Sequence, residues 1–242
     1  MNISSDQIVL FEFGFIRISA TLVFTWLIMA LLVLLARRIT RRVIHDTVLP
    51  PWQNLLEVLV EGIQGQIRDV TRQDPAPYLP FIGTLFIFIA ASNLLAIIPG
   101  FEPPTGSLST TTALALCVFI AVPLYGIQRR GWRAYLKNYV EPTPVMLPLN
   151  IIGELSRTLA LAVRLYGNVM SGAVVGAILL IITPLFFPVL MHALELLTGL
   201  IQAYIFAILA TVYLAAATAA HEDSPPPPTP LPTKGTRSIN EH

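Results

Sequence analysis

The sequence predicts an all-α membrane protein: five membrane crossings plus one amphipathic helix lying along the interface. Three observations lead there. Hydrophobic residues fill 55% of the 242 positions and charged residues only 12%, about half the charged share of an ordinary soluble domain. Apolar stretches at residues 18–36, 79–98, 110–128, 150–183 and 189–220 each have the length needed to cross a hydrocarbon core of ~30 Å. Arginine-rich segments follow the first and the third of them, and basic residues collect on the cytoplasmic side of a membrane. Residues 1–223 therefore read as a single polytopic domain and residues 224–242 as a tail.

Composition also excludes several classes. The formal net charge is +1, so no nucleic-acid partner is implied. Cys117 is the single cysteine, which rules out an intrachain disulfide framework and a cysteine-rich metal site and leaves a packing role. The histidines, His45, His192, His221 and His242, show no metal-ligand spacing, and neither a metal nor a cofactor is expected.

The first span, 18–36, has no basic cluster before it and is expected to be retained rather than cleaved as a signal. Arg37, Arg38, Arg41 and Arg42 follow at once, which sets this end inside and the N-terminus outside. After Pro50-Pro51, Leu56, Leu59, Ile63, Ile67 and Val70 recur every three or four positions while Gln53, Glu57, Glu61, Gln64 and Arg68 take the other side. That pattern predicts an amphipathic helix over 52–70, too polar to span and suited to the interface or to a partner helix. Glu57 and Glu61 stand on its wet face, where paired glutamates are ordinarily solvated. Prolines 75, 77 and 80 end it.

The second span, 79–98, carries Asn93, either an interhelical hydrogen bond or a pathway residue. Thr110, Thr111 and Thr112 open the third span as helix-start and packing residues. Arg129, Arg130, Arg133 and Lys137 mark a second cytoplasmic segment, with Trp132, Tyr135 and Tyr139 as interface anchors. The chain then crosses through 150–183, turns at 184–188 and returns through 189–220, ending inside. The PPPPTPLP tail is expected to be extended or disordered.

The fourth span contains Arg164, and no other formally charged residue follows until Glu195. An arginine at the bilayer centre costs at least about 2.5–3.5 kcal/mol, and it cannot shed its proton. Water, a carboxylate or both must stand within its reach. Helical spacing puts Arg157, Arg164, Asn168 and Ser171 on one narrow face with Gly167 and Gly172 at its margins, a polar, small face suited to close approach by protein. On the last span Glu195, Thr198, Gln202 and Tyr213 share a face with His192 at its edge. Glu195 is either an ion relay or a counter-ion for Arg164; His192 is read first as a packed or interface histidine.

Three strings carry a family resemblance: Ala162-Val163-Arg164-Leu165-Tyr166-Gly167-Asn168; Gln202-Ala203-Tyr204-Ile205-Phe206 with Val212-Tyr213-Leu214; and Asn93-Leu94-Leu95 leading to Pro99-Gly100-Phe101 and Pro103-Pro104-Thr105. Over residues 79–222 the chain resembles the membrane-embedded a subunit of F-type rotary ATP synthases. The resemblance implies that Arg164 is the essential cation facing a ring of c subunits between two offset half-channels, and that Gln202 sits beside it; Glu195, Gln202, Asn168, Glu154 and His192 are the residues expected along the ion pathway. It implies as partners the c-ring, the peripheral-stalk b subunits, the rest of the synthase and the lipid bilayer, in a bacterial plasma (inner) membrane. ATP itself is handled elsewhere in such a complex.

At 1.5 Å per residue the last two helices are too long for a straight crossing, so they are strongly inclined or their ends emerge or break. The resemblance implies a long, steeply tilted hairpin. The chain also departs from relatives that carry an acid nine residues after the arginine and a histidine seven residues before the glutamine: here these positions are Ala173 and Glu195. The coupling ion, proton or sodium, stays open. An ion channel or secondary transporter is the rival reading, against which stand the five spans and the lack of an inverted repeat.

Overall fold

The computed structural model describes residues 9–13, 16–40, 51–98, 101–133, 135, 146–182 and 187–218. The proline-rich tail, the basic residues Arg41 and Arg42, and Tyr139 lie outside them. Among the described residues six long helices carry the fold: α1 (Ala20–Thr40), α2 (Pro51–Thr71), α3 (Leu79–Leu95), α4 (Leu108–Arg130), α5 (Met146–Ile182) and α6 (Phe187–Thr218), with a 3₁₀ turn at Pro104–Gly106. Ahead of α1 stands a two-stranded antiparallel hairpin, Val9–Phe13 with Ile16–Ser19, pairing Glu12 with Arg17. The sequence reading had no strands there; β-branched and aromatic residues in both segments favour the extended chain.

Among the described residues four helices are long and apolar enough to cross a membrane, within Thr21–Arg38, Leu108–Arg129, Leu147–Ile181 and Val189–Thr218. The expected second span is shorter than 79–98. Helix α3 stops at Leu95, because the amides of Ile97 and Ile98 bond three residues back, to the carbonyls of Leu94 and Leu95, and the chain is about to meet Pro99, whose ring disfavours helix in the residue before it. Its 17 residues amount to about 26 Å of helix.

Helix α6 is the element on which the others converge. Along one side it offers Ala203, Ala207, Ala210 and Leu214, all buried, with Phe206 beside them; the three alanines let neighbouring backbones come close. Against it lie Ile82, Leu85 and Ile89 of α3, Ala115, Val118 and Val122 of α4, and Leu161, Ala162 and Leu165 of α5. Helix α2 docks through Ile67, 1% exposed, and a hydrogen bond from the Tyr204 hydroxyl to Gln66 Oε1 at 2.8 Å.

Polar clamps fasten both ends of this core. At one end Asn93 Nδ2 donates to the Gly199 carbonyl (2.8 Å) and Asn93 Oδ1 accepts from Thr105 Oγ1 (2.7 Å), joining α3, α6 and the 3₁₀ turn. Asn93 is thus an interhelical hydrogen-bonding residue. At the other end the buried Tyr78 hydroxyl lies 3.0 Å from Thr218 Oγ1 and 3.1 Å from Gln73 Oε1, while the Arg129 guanidinium stands 5.8 Å above its ring. Thr111 is buried and turns its hydroxyl back to the carbonyls of Ser107 and Leu108, a packing role. Tyr135 was expected to anchor at the interface; instead it is 7% exposed, because Gly126 leaves room for its ring.

A β-carbon at position 199 would come within 2.9 Å of Asn93 Cβ, whereas one at Gly65 meets nothing within 4 Å. Gly199→Ala is therefore expected to destabilise the subunit by about 1–3 kcal/mol through overpacking, read as a lowered thermal midpoint of the purified protein, with Gly65→Ala as the silent control.

Candidate ion-pathway site

Helices α5 and α6 run antiparallel, and contacts between them set the register. Arg157 places its guanidinium 5.8 Å from the Tyr213 ring centroid; farther along, Gly172 and Gly176 face the Glu195 carboxylate. Interpolation puts Arg164 about level with Ala203 to Phe206, within roughly a turn of Gln202.

Two clefts, each with polar side chains in its wall, flank that level. The first, about 330 Å³, is lined by Asn168, Gly176, His192, Glu195, Thr198 and Asn93, and reaches the loop at Phe101 and Pro103. The second, about 370 Å³, is lined by Asn150, Glu154, Arg157, Thr158 and Tyr213, and reaches Tyr135. They occupy opposite ends of the α5–α6 pair. Arg164 lines neither: it follows Arg157 by about 10 Å of helix rise and precedes Asn168 by about 6 Å.

In the first cleft Glu195 is half-buried, and its Oε2 lies 3.4 Å from His192 Nδ1, one helical turn away. The carboxylate fits because the facing helix has no side chain there. A β-carbon at Gly172 would come within 2.9 Å of both Cγ and Oε1 of Glu195, and one at Gly176 within 3.7 Å of Oε1. No ion pair joins Glu195 to Arg164, so the counter-ion alternative is not formed within the chain. His192 is exposed and stands in the cleft beside the acid rather than packed. Thr198 turns its hydroxyl back to the carbonyls of Leu194 and Glu195.

Arg164 is exposed. Its neighbours Leu161, Ala162 and Leu165 are at most 2% exposed and fill the core side of α5, which points the guanidinium outward. Among the described residues it makes no hydrogen bond or ion pair, and a β-carbon at Gly167 would meet nothing within 4 Å. Gln202 sits the other way, 7% exposed, with its Nε2 buried and without a hydrogen-bond partner among the described residues. Buried amides normally find partners, so Gln202 stands out as a buried polar group near the level of the arginine.

The structure thus gathers Glu195, His192 and Asn168 into one cleft and Glu154 into the other, with Arg164 and Gln202 between. Sequence spacing did not bring out the stacking of Arg157 on Tyr213 or the glycine seat beneath Glu195. Both are contacts between helices; the available signal was a second intramembrane arginine on the Arg164 face and two glycines four residues apart. Among the described residues no group of three or more His, Cys, Asp or Glu side chains could hold a metal ion.

Fold and site together define an integral membrane protein of apolar helices whose charged and polar groups are sunk within the spans. Comparison with known proteins sharpens this. The family model described as ATP synthase A chain matches residues 22–215. The chain is 59% identical over 222 residues to ATP synthase subunit a 2 of Picosynechococcus sp., covering 92% of this chain and 95% of that one. It is 60% identical over 217 residues to ATP synthase subunit a 2 of Acaryochloris marina (90% and 93% covered) and 57% identical over 218 residues to ATP synthase subunit a of Nitrosospira multiformis (90% and 87%). The chain belongs to this family, the a subunits of F-type ATP synthases.

Substituting Gly172 by alanine tests the seat of Glu195. Gly172→Ala is expected to push the carboxylate out of the first cleft and lower ion-driven ATP synthesis several-fold in membrane vesicles, with the amount of assembled complex unchanged on native gels.

Proposed function

We propose that this chain provides two offset half-channels and a fixed cation between them, coupling the passage of a proton or sodium ion to rotation of a c-ring and so to ATP synthesis. The observation that supports it most is the outward-facing Arg164, set between two clefts that carry polar side chains and lie at opposite ends of the α5–α6 pair. The two clefts share no lining residue. The ion crosses by boarding a carboxylate on the ring, travelling with it, and leaving through the second cleft.

Arg164 acts on that carboxylate without carrying anything itself. At 4 Å and an effective dielectric near 20 the attraction is about 4 kcal/mol before water screens it, enough to make an arriving acid release its ion. A membrane potential of 100 mV supplies about 2.3 kcal/mol per charge, so the acid must also be able to leave. Gln202, whose buried amide lies within about a turn of that level, belongs to the pathway on its inner side, away from the passing carboxylate. Glu195 and His192 serve the outer cleft together with Asn168, and Glu154 serves the cytoplasmic one.

The rest of the reading follows the same frame. The chain works within an F-type ATP synthase, held against the ring by the peripheral-stalk b subunits, in a bacterial inner membrane with the N-terminus outside and the C-terminus inside. Helix α3 supplies the fifth crossing, and α5 and α6, about 55 and 48 Å long, form a steeply inclined hairpin. A free-standing channel or secondary transporter would need the counter-charge of Arg164 within its own fold, and the described residues supply none.

Arg164→Ala is expected to reduce ATP synthesis driven by an imposed ion gradient to background while the c-ring and stalk still copurify; synthesis at the normal rate would defeat the proposal. Arg164→Lys is expected to restore little, since a point charge lacks the planar fork that meets a carboxylate with two hydrogen bonds.

A further inference from the structure

The second cleft ends, on the side away from Arg164, at a side chain whose place in the sequence would leave it outside. Tyr135 stands beyond the last residue of α4, in a segment whose Trp132 is 63% exposed, yet it is itself 7% exposed and lines the cleft. Two glycines bring it there. Gly131 closes α4, its amide bonding to the Ile127 carbonyl at 2.8 Å, with φ 80° and ψ 156°, a conformation nearly restricted to glycine. Its carbonyl accepts from the Tyr135 amide at 3.1 Å, so the chain folds back by one turn against the end of α4. Gly126 leaves the space the ring occupies. A β-carbon there would overlap the ring edge, within 2.8 Å of Cδ2, and would stand 3.3 Å from the Ala217 carbonyl oxygen of α6.

Helix register gives the level of the ring. With Arg157 stacked on Tyr213 and the two helices antiparallel, Ala217 falls opposite Gly153, about 6 Å of rise from Arg157 and farther from Arg164. Tyr135 lies beside Ala217, at that end. Arg157 and the buried Thr158 line the cleft farther in. An ion moving between Thr158 and the end of the cleft therefore passes the ring. What the ring contributes at that point is bulk and no charge, and a chain of water molecules fits through a gap that a larger cation does not.

We infer that Tyr135 sets the width of the second cleft at its end away from Arg164, a specificity-determining residue that admits water and a small ion and keeps bulkier cations out. The inference rests on the second cleft being part of the ion pathway. Access to the cleft is measured without ion flow, so the two readings fail separately. Access indifferent to Tyr135 defeats this inference alone, and normal synthesis in Arg164→Ala defeats the coupling alone.

The test uses the whole assembled complex in lipid nanodiscs, with Cys117→Ser removing the native thiol and Thr158→Cys placing one inside the cleft. Methyl methanethiosulfonate and its trimethylammonioethyl analogue share one chemistry and differ in bulk; adducts are followed over time by mass spectrometry. With Tyr135 in place the small reagent is expected to react and the bulky one to lag. Tyr135→Ala should speed the bulky reagent several-fold and leave the small one unchanged. Tyr135→Phe should match the native chain, because the ring and not its hydroxyl fills the gap. A thiol placed in the first cleft by Thr198→Cys should react alike in all of these chains. A bulky reagent whose rate Tyr135→Ala does not change overturns the inference. So does an equal gain for both reagents, or a gain at Thr198→Cys, since either reports general loosening. Should the alanine variant fail to assemble, Tyr135→Leu, which keeps an apolar side chain on Gly126 but loses the breadth of the ring, decides by the same readout.

Discussion

A guanidinium set within a long apolar helix is the constraint on which this architecture turns. It cannot be neutralised, and the hydrocarbon offers it nothing. The chain answers half of the problem. Leu161, Ala162 and Leu165 fix the opposite side of α5 in the core, so Arg164 is aimed outward without freedom to retreat. The other half is left open, since no carboxylate among the described residues reaches it. Only 6% of the apolar window of α5 is buried within the chain, against 39% of that of α6. So bare a helix presents Arg164 outward with no counter-charge among the described residues.

Holding that helix steady falls to α6, and the means are small side chains plus a few well-satisfied polar contacts. In lipid there is little hydrophobic gain from bringing two apolar helices together, so close backbone approach and interhelical hydrogen bonds supply the attraction. Ala203, Ala207 and Ala210 provide the approach. Asn93 and Tyr78, at opposite ends, provide the bonds, and each ties at least two separate segments to one side chain. The clamps are far apart and lie off the outward face of α5, so the core is fixed without obstructing it.

Glycine has a different duty at the site. Opposite Glu195 the absence of two side chains makes a seat for a carboxylate, and beside Arg164 the bare Gly167 keeps the surface low. One lets a charged group enter the α5–α6 interface; the other lets a neighbour come close from outside. The acid itself stands on α6 where some relatives place a histidine, with His192 one turn before it, so the polar content of the cleft comes largely from a single helix.

Much of this was legible in the linear chain because membrane insertion is a local matter: length, apolarity and the position of arginines decide it residue by residue. The helices, the amphipathic period of α2 and the oddity of Arg164 all follow from it. Where the reading went astray, the reason was contact between distant segments or short-range backbone chemistry. Tyr135 turned inward because Gly126 leaves room for its ring, α3 closed early on a tight turn before proline, and the N-terminal strands depend on pairing with each other. Which side chains share a cleft, that Glu195 meets His192 and two glycines rather than Arg164, and that Arg157 lies on Tyr213 were decided by tertiary structure alone. Each depends on the register between helices, and register is set by packing across the interface, which no stretch of one helix contains.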